Sequence, residues 1–339
     1  MQGFDVAKVS AWLEANIEGV QGPFSVDLIA GGRSNLTFRV VDLNGRELVV
    51  RRPPTGHVLA TAHDMAREYR IMSAIGRTDV PVPPTYGLCT DLEVNDAPFY
   101  VMGFSQGVVL DSADRAVALP MDLRVPASEH LVDVLADLHA VDIDAVGLGD
   151  LAKRDGFIER QVRRWTMQWE NSKSRDLPAI DEVARRLGER MPAQVGVSVV
   201  HGDYRFGNCV TDVVNGRIAA VLDWELCTLG DPLADVGYLG VYWSDGGDGA
   251  LRANDPTPAG GFLAYADVLE RYATRTGRDL GDIGYYVAFS CWRLAIISEG
   301  VYARYRAGAM GDQAIDTSPM TSAVEGLADR ALEAMRSLA

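Results

Sequence analysis

A chain of 339 residues with a net charge of −15 and 47% hydrophobic residues can fill two compact units, each with its own core. The acidic balance argues against a nucleic-acid partner, which needs a basic surface, and no apolar run of about eighteen residues marks a membrane-spanning helix. The N-terminus shows no basic region followed by an apolar block. Four scattered cysteines (Cys89, Cys209, Cys227, Cys291) form no Cys-x-x-Cys pair and read as free thiols of a cytoplasmic protein, and the five histidines form no metal-ligand pattern.

The first element is a helix over 4–17, with Val6, Val9, Leu13 and Ile17 at helical spacing. Two strands are expected around Gly31-Gly32, then an Asn44-Gly45 turn and a third strand from Glu47 to Arg52. The loop Gly31, Gly32, Ser34 and Asn35 reads as a plain turn or as a short loop whose backbone N–H groups approach a phosphate. Arg51 and Arg52 close the third strand. A helix over 62–75 follows, with Met65, Tyr69 and Met72 on its apolar face, Glu68 within it, and Thr61-Ala-His-Asp64 as a capping box. Past the extended break Pro81-Val-Pro-Pro, residues 84–88 and 99–104 read as strands, the second ending Met102-Gly103-Phe104.

The rest of the chain reads as mainly helical. Residues 128–141 place Leu131, Val134, Leu135 and Leu138 on one face, and His139 reads as a packed histidine. Residues 157–173 form a basic, aromatic helix with Arg160, Arg163, Arg164, Trp165 and Trp169. It is read as a docking helix, or alternatively as a face toward an anionic part of a substrate. Asp245 and Asp248 sit in a glycine-rich loop placed at a substrate entrance. Helices are expected over 262–275, 283–307 and 322–338.

Between these helices lies the stretch that carries chemistry. It runs His201-Gly-Asp-Tyr-Arg-Phe-Gly-Asn208, then a strand ending Asp223-Trp-Glu, then Gly230-Asp-Pro-Leu-Ala-Asp235. Asn215-Gly216 between apolar runs signals a two-residue type I′ hairpin in which Val214 faces Arg217. Counting outward, Asn208 then faces Asp223, and a carboxylate and an amide oxygen so placed can share Mg²⁺. Asp203, in the loop entering the hairpin, can accept a proton from a substrate hydroxyl. Taken singly, Asp203 and Asn208 are ordinary turn formers.

These motifs resemble the catalytic and metal-binding loops of protein kinases, and in wording the aminoglycoside phosphotransferase family, above all its branch found as a kinase-like domain beside acyl-CoA dehydrogenases. The resemblance implies an α+β, two-lobed protein-kinase-like fold. Residues 1–104 would form a small antiparallel-sheet lobe that binds nucleotide, and residues 105–339 a larger, mainly helical lobe that binds substrate. It implies transfer of the γ-phosphate of ATP, or GTP, to the hydroxyl of a small molecule. Asp203 is then the base, and Asn208 and Asp223 hold Mg²⁺. The Gly31, Gly32, Ser34 and Asn35 loop and Arg51 bind the phosphates, with Arg51 (or Arg52) in place of the usual lysine and Glu68 as its partner. Met102, Gly103 and Phe104 meet the base of the nucleotide. Asp231 and Asp235 support the catalytic loop. A non-catalytic nucleotide-binding module is the alternative, favoured by the missing lysine and the short glycine loop. Within the kinase reading, the acceptor is an aminoglycoside or a hydroxyacyl-type compound, and the oligomeric state stays open.

Overall fold

The computed structural model describes residues 3–30, 35–55, 64–245, 254–306 and 317–336. The chain divides into two compact units: Met1–Gly107 with Asp144–Leu148 and Ala219–Glu225, and the remainder. Among the described residues, no helix is long and apolar enough to cross a membrane.

In the first unit, helix α1 (Val6–Asn16) is capped by Asp5, whose side chain accepts from the Lys8 N–H. Val9, Leu13 and Ile17 are buried as the spacing requires, whereas Val6 is exposed and Phe4 takes its place in the core. Strands β1 (Ser25–Ala30), β2 (Leu36–Val41) and β3 (Glu47–Arg52) precede α2 (Met65–Ile75). Strand β4 (Thr85–Cys89), a short α3 (Leu92–Asn95) and β5 (Phe99–Gly103) follow. The five strands pair antiparallel in the order β1-β2-β3-β5-β4. Helix α2 starts at Met65, its cap being Asp64, which accepts from the Arg67 N–H. Thr61 lies outside the described residues.

The alternation of a strand sorts this sheet into two faces. Leu48 and Val50 of β3 and Phe99 and Val101 of β5 join Phe4, Val9 and Leu13 in one core. Burying each such side chain contributes about 1.5–3 kcal/mol. Arg51 and its cross-strand partner Tyr100 therefore point to the other face.

The second unit begins with β6 (Val108–Val109), α4 (Ala113–Ala116) and α5 (Arg124–Ala140). Helices α6 (Phe157–Ser172) and α7 (Pro178–Glu189) lead to β7 (Ser198–Val200) and β8 (Cys209–Thr211). Strand β9 (Ile218–Val221) carries the chain into the first unit, and β10 (Thr228–Gly230), α8 (Leu233–Val241), α9 (Tyr265–Thr276), α10 (Ile283–Arg306) and α11 (Ser318–Arg336) complete the fold. Strand β7 pairs antiparallel with β10, and β6 with β8. Helix α10 packs chiefly on α11 and α8. Where α8 meets α10, a Cβ on Gly237 would lie 2.5 Å from the Tyr286 backbone, so only glycine permits the approach. Asp245 accepts from the Tyr265 N–H, while Asp248 lies outside the described residues.

The hairpin over 212–217 is not the two-residue turn expected. The Asp212 N–H donates to Arg217 O at 2.8 Å and the Gly216 N–H to Asp212 O at 2.9 Å, enclosing four residues. Asp212 Oδ1 accepts from the Val214 N–H, Asn215 Nδ2 reaches Asp212 Oδ2, and Gly216 has φ +73° while Asn215 does not turn left-handed. An aspartate ahead of the turn has captured its donors. The outward count that set Asn208 opposite Asp223 therefore fails. Asn208 ends a 3₁₀ turn (Phe206–Asn208), and Asp223 has φ +64° rather than an extended backbone.

Candidate active site

In the first unit, the face of β3 and β5 opposite the α1 core gathers charge. Arg51 Nη2 donates to Asp223 Oδ1 at 2.5 Å, and its Nε is 3.2 Å from Glu68 Oε2 on α2. Glu225 Oε2 is 3.9 Å from Arg51 Nη2. The Tyr100 hydroxyl donates to Glu68 Oε2 at 3.0 Å. Asn35, buried just before β2, points Nδ2 at Glu68 Oε1 (3.1 Å) and at Glu225 Oε2 (3.3 Å). One guanidinium thus faces three carboxylates. Burial works against the Arg51 charge, but Tyr100, Asp223, Glu68 and Glu225 outweigh it and raise its pKa. Burial pushes the Glu68 carboxyl up, against the pull of Arg51.

Strand alternation separates the two candidate arginines. Arg52 points into the α1 side and donates to the carbonyls of Gly3 and Asn95 at 2.9 and 3.0 Å, a structural role. At the end of β5, Met102 is buried, the Gly103 N–H donates to Pro84 O at 2.8 Å and the Phe104 N–H to Glu47 O at 3.4 Å. Those two donors are engaged inside the unit. Gly31, Gly32 and Ser34 lie outside the described residues; Asn35 is the one member of that loop the structure places.

In the second unit, the loop 201–209 is fixed by its buried members. His201, Tyr204, Phe206 and Cys209 are buried, and the Tyr204 hydroxyl donates to Leu131 O at 2.7 Å. The loop is also held from behind. Asp235 on α8 accepts from the N–H groups of His201 and Gly202, both at 2.7 Å, and from His139 Nε2 at 3.2 Å. Since Nε2 faces a carboxylate, it carries the proton, and Nδ1 accepts from the Tyr272 hydroxyl at 2.7 Å. Burial lowers the His139 pKa. Burial alone would raise that of Asp235, but the bond to His139 and the backbone donors bring it below the usual carboxylate value. Gly202 has φ +84°, and a Cβ there would meet Leu226 O at 2.9 Å. Asp231 caps the start of α8 and accepts from the Tyr286 hydroxyl at 2.8 Å.

Asp203, half-buried, emerges from this scaffold. Asn208 Nδ2 donates to Asp203 Oδ2 at 2.7 Å and to its backbone carbonyl at 2.8 Å. The Asn208 amide oxygen is then the atom left for a metal. Arg205 Nε lies 3.4 Å from Asp203 Oδ1. Sequence reasoning gave no role to Tyr100, Glu225, Arg205, Tyr238 or Arg293. Glu225 and Arg205 stood inside the quoted motifs, but the aim of a long side chain carries no periodic signal.

The basic helix resolves toward docking. Arg160 is bound to the carbonyls of Lys153 and Asp155, Arg164 lies over the Trp165 ring, and buried Trp169 donates to Asp181 at 2.7 Å.

Five antiparallel strands followed by a helical unit carrying these loops define the protein-kinase-like phosphotransferases, an α+β class. The model of the phosphotransferase enzyme family matches residues 25–271, and the chain belongs to that family. A crystal structure from Ralstonia eutropha, described as a candidate aminoglycoside phosphotransferase, is similar over 98% of this chain and 99% of that one, at 34% identity and TM-score 0.82. The GDP complex of aminoglycoside 2'-phosphotransferase-IIIa shares the fold, at 14% identity and TM-score 0.61 over 96% of this chain and 98% of that one. Acyl-CoA dehydrogenase family member 10 of Mus musculus is 34% identical over 85% of this chain, and member 11 of Rattus norvegicus 30% identical over 98%. The chain spans 27% and 43% of the length of those two relatives.

Proposed function

We propose that this chain is a small-molecule kinase, transferring the γ-phosphate of ATP, or GTP, to a hydroxyl group with Asp203 as base. The observation that carries this reading is the loop in which Asp235 holds two successive backbone N–H groups while Asn208 orients the Asp203 carboxylate. Such a carboxylate is aimed and half-buried, as a general base must be. The acceptor hydroxyl gives its proton to Asp203 as its oxygen bonds to phosphorus, and the nucleoside diphosphate leaves with the electrons of the broken bond. Arg51, held by Glu68, steadies the phosphates with a planar fork in place of a lysine, with Asn35 beside it.

Asn208 and Asp223 offer hard oxygen donors, which suits Mg²⁺, since that ion takes one or two carboxylates and draws most other ligands from phosphate and water. Among the described residues, three carboxylates converge there on the Arg51 guanidinium. When bound, Mg²⁺ offsets charge on the phosphate oxygens. Nucleotide complexes among the structural neighbours, one with GDP and one with AMP-PNP and hygromycin B, support the nucleotide assignment. All four cysteines are buried as thiols, which supports a cytoplasmic site of action.

A thermal-shift titration with ATP and GTP, each with and without Mg²⁺, tests the reading, since a ligand of the folded state raises apparent stability. A Mg²⁺-dependent shift, retained in Asp203→Asn while transfer is lost, is the expected result. The absence of any shift would refute it. The second reading, nucleotide binding without transfer, draws on the 2.5 Å bond by which Arg51 engages Asp223. It predicts a shift with no transfer to any hydroxyl compound.

A further inference from the structure

Two cations, Arg205 and Arg293, meet the loop that carries the proposed base. Arg205 approaches Asp203 Oδ1 to 3.4 Å, and its guanidinium lies 4.8 Å over the Tyr242 ring. Arg293, from α10, donates through Nη2 to Gly202 O at 2.9 Å and lies 4.7 Å over the Tyr238 ring. Burial works against the Arg205 charge, but Asp203, Tyr242 and Tyr238 outweigh it, so the group stays cationic. Burial, and then the Asp203 charge, push the Tyr238 phenol well up, so it stays a neutral donor. One guanidinium thus faces the Asp203 carboxylate and the other the carbonyl of the residue before it, in a chain whose net charge is −15.

The arginines also hold donors in reserve. With Arg205 Nε turned to Asp203, Arg205 Nη1 and Arg293 Nε are buried and make no hydrogen bond. Buried donors of this kind are rarely left unmatched, and charged ones carry the larger penalty. A planar guanidinium with free N–H groups, packed on an aromatic ring, suits carboxylate and phosphate oxygens.

We propose that Arg205 and Arg293 form an oxyanion-binding pair beside Asp203, which takes a phosphoryl or carboxylate group. The inference rests on Asp203 being the base of phosphotransfer. The oxyanion is either the phosphoryl group in transfer or an anionic group of the acceptor itself. In both cases neither arginine exchanges a proton; the acceptor proton goes to Asp203. Positive charge at the base repels a polycationic sugar and selects a hydroxyl compound that carries its own carboxylate or phosphate.

Inorganic phosphate is the probe, titrated calorimetrically into the full chain. Wild type should bind it, Arg205→Gln and Arg293→Gln should each weaken binding about tenfold, and Arg293→Lys should keep part of it. Asp203→Asn should tighten binding, because it removes the like charge; a purely structural arginine pair would leave that variant unchanged. Unaltered phosphate affinity in both glutamine variants, or no binding by wild type, overturns the pair. If the glutamine variants do not fold, Asp203→Asn decides: tighter binding supports the pair, and unchanged binding overturns it. Repeating the titration with Mg²⁺-AMP-PNP bound identifies the source. Phosphate that still binds occupies the acceptor's anionic position, and phosphate that is displaced occupies that of the transferred group. The thermal shift with nucleotide separates the two readings: nucleotide binding without a phosphate response overturns the pair alone, and a phosphate response without nucleotide binding overturns the kinase.

Discussion

The two units carry opposite electrostatic problems. In the first, Arg51 faces Glu68, Asp223 and Glu225. In the second, Asp203 stands with Arg205 beside it, and Arg293 of α10 bonds to the same loop. Each cluster has the charge that its proposed ligand lacks: acid where a divalent cation is expected, base where an oxyanion is expected. The net charge of the chain reports neither, because steering by local groups acts over a few ångströms and bulk charge is screened over about 10 Å.

Separate substitutions can break this contrast. Asp203→Asn should lower transfer about a thousandfold while the nucleotide-induced thermal shift persists. Loss of the shift as well would mean that the two clusters are not functionally separable. Asp235→Ala should cost about 3–5 kcal/mol of stability, because it strands two backbone donors and a buried imidazole. Chemical denaturation reads that loss, and a change below 1 kcal/mol would contradict the clamp. Asp223→Ala should weaken nucleotide binding at least about tenfold with Mg²⁺ and little without it, as calorimetry can show.

The pH response sharpens the picture of the second unit. His139 is neutral in the fold, with its pKa lowered by burial, so below the unfolded value of about 6.5 the unfolded chain binds the extra proton. Its contribution is complete above that pH and is lost on acidification, by up to about 1.4 kcal/mol per pH unit. Asp235, also lowered, acts in the same direction at still lower pH, while Glu68, raised by burial, acts oppositely. The thermal midpoint should therefore fall from pH 7 toward 5, and His139→Gln should flatten that slope. Arg51→Lys is the mildest change, a loss of about 0.5–1 kcal/mol in nucleotide affinity, because an ammonium cannot engage Glu68 and Asp223 with one fork.

Much of this molecule is legible in its sequence. The strand alternation that puts Val50 into the core is what aims Arg51 at α2, and the apolar spacing of α1 and α5 marks real helices. The Asn44-Gly45 turn and the strand after it fall where expected, but the 212–217 turn was misread. Asn215-Gly216 follows an aspartate three residues earlier, and that carboxylate takes backbone donors and sets the length. A dipeptide rule cannot see a neighbour that competes for the same N–H groups. The cation pair at Asp203 was hidden for another reason: Arg205 and Arg293 are 88 positions apart, and only the fold brings both to one loop.

The grip of Asp235 on the main chain of His201 and Gly202 bears on divergence. The loop of the proposed base is held through peptide groups from a buried helix, and Asn208 then sets its carboxylate. The wall that meets the acceptor can then be rewritten residue by residue while the reacting atom keeps its address. A lineage built on such a chassis can exchange one alcohol for another by surface substitution, and a laboratory can retarget it the same way.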